Sequence, residues 1–247
     1  MTRLFSLLVL LVVVACGPDS SADSAANPGG GDAASMAPTS LPEGVEAISL
    51  MGGELRPPNF PAEVRARYEE NLAAAQAAYD TAPEDVDSII WLGRRTAYLG
   101  RYRDAIDIYT RGIALHPEDA RLYRHRGHRY ISVREFDRAI EDLRRAVMLV
   151  AGTEDEVEPD GLPNARGVPT STLQFNIWYH LGLAHYLLGD LEGALEAWQA
   201  CMGVSRSDDS RVATAYWLNN TMRRLGLTER ADDLSSWVSD DLDVIES

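Results

Sequence analysis

The side chains that could do chemistry are five histidines, two cysteines and an unusual set of arginines. His125 and His128 stand three apart, a spacing that puts both imidazoles on one helix face, where they could share a metal ion. No carboxylate or cysteine at a fixed spacing completes the set. Two histidines at this spacing on a polar helix are common by chance, so no metal is assigned. Cys16 and Cys201 are too few for a disulfide framework or a four-cysteine zinc site. The sequence holds no phosphate loop, nucleophile elbow or zinc-protease helix, and Gly29, Gly30 and Gly31 follow no strand. No catalytic residue and no cofactor is therefore assigned, and the chain reads as a non-enzyme. Guanidinium chemistry is what is left. All 23 basic residues are arginine, and 13 of them fall between 86 and 153 against 9 acids there. That local surplus of four positive charges sits in a chain of net charge −15, which argues against a nucleic-acid binder. Arginine forks grip carboxylate or phosphate at two points.

The 247 residues are 45% apolar and 25% charged, ordinary values for one globular domain, which exclude wholesale disorder and a multi-span membrane protein. Arg3 opens the chain, and an apolar run from Leu4 to Ala15 follows, broken only by Ser6. It is too short to span about 30 Å of hydrocarbon and reads as an export signal over 1–15. Its end, Val13-Val14-Ala15-Cys16-Gly17, resembles the bacterial lipobox, with Val13 where the family more often has Leu. The resemblance implies that Cys16 is lipidated and becomes the new N-terminus. That places the protein in the bacterial cell envelope, on the periplasmic side of the outer membrane in preference to the inner. The alternatives are a plain signal peptide with an incidental cysteine, or an uncleaved anchor. Residues 16–44 hold that cysteine and then small polar residues with Gly, Ser and Pro, which read as a flexible tether reaching about 30 Å. Residues 45–60 read as an irregular segment lying on the body.

The elements that must position the arginines follow a period of 34. Gly93/Gly127, Tyr102/Phe136, Ala105/Ala139, Gly112/Ala146 and Ile113/Val147 all recur at that distance. A third copy at 175–208 carries Trp178, Leu181, Gly182, Gly189, Ala194 and Trp198, displaced by 55, one period plus 21 inserted residues. Tyr68 and Pro83 extend the register upstream, so 62–81 reads as the second helix of a degenerate unit. The pattern resembles the tetratricopeptide repeat (TPR). Over 86–119 it gives Leu92-Gly93, Gly100-x-Tyr102, Ala105, Tyr109, Gly112 and Pro117; over 120–153 it lacks the Pro and has Arg126 where Leu is usual. The resemblance implies an all-α solenoid of three to four helix-turn-helix pairs over 61–240, after the tether. Repeats fall at 86–119, 120–153 and 175–208, with a degenerate capping pair at 210–239 and an acidic tail at 241–247. Asp85 and Asp119 read as N-caps, and Ser171 with Gln174 as a capping box. Cys201 takes the place of Gly112 and Ala146 and reads as a small buried packing residue.

In such arrays the first helix of each pair lines a groove. Its inward positions here are Asp87, Ile90, Arg94, Ala97 and Tyr98, then Arg121, Arg124, His128, Ile131 and Ser132, then Asn176, Tyr179, Leu183, Tyr186 and Leu187. The family's carboxylate clamp is not matched: its places hold Ile90, Arg94, His125, Asn176 and His180. The expected partner-binding set is Arg94, Tyr98, Arg121, Arg124, His128, Tyr179 and Tyr186. Its expected ligand is an acidic or extended segment of a protein partner, with no nucleic acid. The competing readings are a solvated face paired with local acids, an assembly role through the ends or convex side, and a small-ligand site or enzyme using His125, His128 and Tyr179. The insert at 154–174 carries five acids in its first seven residues. It is expected to lie against Arg121, Arg124 or Arg129, or to be a solvated spacer.

Overall fold

The computed structural model describes residues 41–159, 161–236 and 241–245. The export signal, Cys16 and the tether up to residue 40 lie outside the described residues. A two-residue hairpin opens the described chain. β1 (Ala47–Ile48) pairs antiparallel with β2 (Glu54–Leu55), so the segment at 45–60 carries more order than its prolines suggest. Nine α-helices follow among the described residues. They are α1 (Ala62–Thr81), α2 (Val86–Tyr98), α3 (Tyr102–Leu115), α4 (Ala120–Ser132), α5 (Phe136–Leu149), α6 (Leu173–Leu188), α7 (Leu191–Val204), α8 (Asp208–Arg224) and α9 (Thr228–Ser235). Helices α2/α3, α4/α5, α6/α7 and α8/α9 are antiparallel-type pairs joined by short turns, preceded by the single helix α1. None of the described helices is long and apolar enough to cross a membrane.

The pairing follows from the small residues. A Cβ on Gly93 would collide with the Tyr109 ring, and one on Gly182 would lie 2.6–2.8 Å from the Trp198 indole. Glycine at these places lets the second helix of each pair bring a large ring against the first helix's backbone. Tyr109 and Trp198 are thereby almost wholly buried. Their partners Ala105, Ala139 and Ala194 are likewise sealed in the core. Asp85 accepts from the Ser88 N–H and Asp119 from the Arg121 N–H, capping α2 and α4. The start of α6 departs from expectation by one residue. Thr172, not Ser171, caps it, accepting from the Phe175 N–H, while Asp155 of the insert accepts from both the Gln174 N–H and the Thr172 hydroxyl. A reciprocal capping box does occur, at Ser207 and Ser210 of α8.

Arg126 explains its own departure from the repeat pattern. Its fork donates to both oxygens of the buried Asp142 on α5, at 2.7 and 2.8 Å, where an apolar contact would otherwise close the pair. The hairpin is pinned to the second helices by Arg103, which donates to the Glu46 carbonyl and pairs with Glu135 at 2.9 Å. Ala47 packs there among Ile106, Tyr130 and Phe136.

Candidate functional site

The first helices α2, α4, α6 and α8 line one groove, and its two halves differ. The half on α2 and α4 is cationic, and residues 156–159 and 161 of the insert lie in it. The insert folds back as extended chain: Leu173 N–H donates to the Glu156 carbonyl, Glu158 N–H to the Ser171 carbonyl, and Val157 bridges Thr172 in antiparallel fashion. Arg94 donates to the Pro159 carbonyl and Arg95 to the Gly161 carbonyl, each at 2.8 Å. Gly161 closes over Tyr98 and Arg94, where a Cβ would land on the Tyr98 hydroxyl. Glycine is required there by close approach.

Glu158 is the centre of this contact. Its Oε2 lies 3.0 Å from Arg124 Nε and accepts from the Asn176 amide at 3.0 Å, with both charged side chains about nine-tenths buried. Arg124 Nε itself makes no directed hydrogen bond. Its pairing with Glu158 rests on charge and distance. Burial holds the Arg124 and Arg129 guanidiniums below their ordinary pKa, an effect that Glu158 opposes at Arg124. A cleft of about 230 Å³ runs between the insert and Asp87, Trp91, Arg94 and Arg121.

Three histidines sit beside the arginines and are neutral. His125 stacks on Tyr109 with ring centroids 5.7 Å apart, and His128 lies 3.9 Å from His180. Burial first, and neighbouring arginines second, push His125 and His128 well below the usual imidazole range; burial then Arg124 bring His180 to about 3. His180 Nδ1 is engaged by the Asn176 carbonyl at 2.6 Å. No group of three or more His, Cys, Asp or Glu among the described residues is placed to hold a metal ion. His116 and His185 hold helix ends, the first on the Glu84 carbonyl and the second on Asp190. Cys201 is wholly buried, its Sγ 3.3 Å from the Thr214 hydroxyl, and burial drives its thiol up to about 12, out of nucleophilic range.

The half on α6 and α8 is aromatic and open. A groove of about 550 Å³ is lined by Phe175, Tyr179, His180, Tyr216 and Trp217, with Asn176 joining it to the cationic half. Tyr216 is 62% exposed. Trp217 Nε1 donates to the Tyr179 hydroxyl at 2.8 Å, and Trp217 stacks on Trp198.

The seven residues expected to bind a partner therefore fall in different situations. Arg94, Tyr98 and Arg124 sit under the insert. Arg121 does not join them: its fork is held by Asp119 and its other amine by Asp87, which raises its pKa. His128 is packed on His180. Tyr179 faces the open groove, while Tyr186 is held between Trp217 and Arg224. Glu158, Tyr216 and Trp217 were not among them. Trp217 was within reach of the period, standing 34 after the inward Leu183, as Ser210 and Ala213 follow Asn176 and Tyr179.

The fold and this groove define a TPR-type helical solenoid. Residues 175–208 match the family model described as tetratricopeptide repeat. Solved structures share the architecture. One titled crystal structure of MamA has a TM-score of 0.53 at 18% identity, covering 72% of this chain and 92% of that one. MamA 41-end from Desulfovibrio magneticus RS-1 gives 0.52 at 18% identity, with 70% and 84% covered. At that identity the likeness is one of fold. No curated protein matched the sequence.

Proposed function

We propose that the protein is an interaction scaffold, lipid-anchored through Cys16 in the bacterial cell envelope, that holds an extended segment of a protein partner in the groove of its first helices. The observation that carries this reading is that the groove already holds extended polypeptide, its own residues 156–159. Arg94 and Arg95 grip carbonyls, contacts indifferent to side-chain identity, while Arg124 and Asn176 select one carboxylate. A partner segment enters along Tyr179, Tyr216 and Trp217, where rigid aromatic area is open, and its acid competes with Glu158 for Arg124. The anchoring half of the reading rests on residues 3–17 alone.

Two measurements test it. Intact mass of membrane-extracted protein should show loss of residues 1–15 plus acyl mass, and an unmodified N-terminus elsewhere would remove the anchor. Capture of partners from envelope extracts should rise when 154–160 is replaced by neutral Gly/Ser, with the gain shrinking as salt screens the arginines. Capture should fall for Tyr216→Ala, which touches an exposed ring and leaves the core alone. Capture unchanged by both variants would move the function to the ends or convex face.

A further inference from the structure

A second cavity, of about 110 Å³, lies beneath the docked insert, between α2 and α4. Arg94, Arg124, Arg129 and Glu158 bring charge to its wall. The hydrogen bonds of Arg94 go to a carbonyl and to the Tyr98 hydroxyl, both neutral. The Arg129 guanidinium lies over the Tyr102 ring, 5.3 Å from its centroid, with no described carboxylate in ion-pair range. Among the described residues, Glu158 is thus the one acid lining this cavity against three guanidiniums, and the described wall is net positive, with Arg124 buried and Arg94 and Arg129 partly so. His125 and His128, also in the wall, add none because they are neutral.

Such a surplus has few remedies. A buried lysine would shed its proton, but a guanidinium does not. Buried charges are paired or bound to a counter-ion. The Arg124 Nε–H is buried and makes no directed hydrogen bond, Glu158 Oε2 lying 3.0 Å away but out of line, so donor capacity goes spare beside the surplus charge. The cavity exceeds the 10–15 Å³ that one water needs but offers no room for a peptide. We propose that this cavity binds a small tetrahedral oxyanion of the phosphate or sulfate class, drawn by the net positive charge of its described wall. The site lies apart from the open aromatic groove but shares Arg124 and Glu158 with the docked insert, so its occupancy is measured on the protein alone, with no partner present.

The experiment is thermal unfolding of the full chain in chloride at constant ionic strength, with inorganic phosphate or sulfate titrated in. The expected result is a rise in Tm that saturates with a half-point at or below roughly 1 mM. General salting-out by these anions does not saturate. Arg129→Gln should abolish the saturable rise, and in chloride alone should melt at or above the parent, because it removes one positive charge from the described wall. Glu158→Gln keeps the shape, removes the competing carboxylate, and should lower the half-point about tenfold at low salt; it tests the site even if Arg129→Gln folds poorly. A rise that does not saturate or persists equally in Arg129→Gln, or a half-point unmoved or raised by Glu158→Gln, overturns the proposal. So does a response to phosphatidylglycerol vesicles without one to inorganic phosphate, which would assign the charge to a lipid surface.

Discussion

Acid should unfold this protein through its buried histidines before its carboxylates matter. His125 and His128 are held well below the imidazole range and His180 at about 3, against about 6.5 in an unfolded chain. A lowered folded pKa means that the unfolded chain binds protons the folded one refuses. Stability is therefore complete above about pH 6.5 and falls as pH drops toward the folded values. At pH 5.5 the unfolded state gains on the order of 1 kcal/mol per histidine, so a few kcal/mol for the three, a large part of the 5–15 kcal/mol that holds a typical domain. Asp142 runs the other way, its pKa raised by burial despite Arg126, but its gain comes nearer pH 4. Urea unfolding at pH 7.5 and 5.5 measures the difference, and proton uptake on unfolding at pH 5.5 should approach three. Equal stability at the two pH values would refute the reasoning. So would imidazole resonances of these residues titrating near 6.5 in the folded protein, since the rings would then be hydrated.

Two further perturbations test the packing. Gly182→Ala drives a methyl into the rigid, buried Trp198 ring and should cost about 1–3 kcal/mol, whereas Gly203→Ala on α7 meets nothing within 4 Å and should gain about 0.5–1 kcal/mol, so melting temperatures should move in opposite directions. Arg126→Leu leaves the Asp142 carboxylate buried without its partner and should cost about 3–5 kcal/mol in urea unfolding; adding Asp142→Leu should recover most of it, and a double variant as weak as the single would deny the pairing.

Repeats are legible in a sequence because their packing imposes local rules that recur. Gly93, Gly127 and Gly182 each face a large side chain of the second helix, and that demand is written every 34 residues. The caps at Asp85 and Asp119 are short-range and equally readable. The cap of α6 was displaced because its neighbour Asp155 comes from the insert, 17 residues before Thr172, and no period relates the two. Glu158 was hidden for the same reason. It is one of five acids in a stretch that obeys no repeat, and nothing in its own sequence separates it from Glu154 or Glu156. The surplus of arginine over acid between 86 and 153 did signal that a counter-charge was needed. It did not say which acid, because that depends on where Gly161 lets the backbone close over Tyr98.

The contacts that hold the insert also define what could replace it. Ordering an extended stretch costs about 1–2 kcal/mol per residue in backbone entropy, and against the groove two arginine-to-carbonyl bonds and one buried carboxylate offset it, beside the backbone bonds the insert makes with residues 171–173. These bonds are polar and charge-assisted, so their net worth falls with salt. The insert buries little apolar surface of its own, since Val157 and Leu162 stay exposed. The docked state is therefore the part of the groove most open to competition. A competitor needs an extended backbone and one acid at the place of Glu158. It gains in addition the Tyr179, Tyr216 and Trp217 surface that the insert does not cover. That added apolar contact, absent from the intramolecular ligand, gives a partner in trans a route to win despite the high local concentration of the tethered loop.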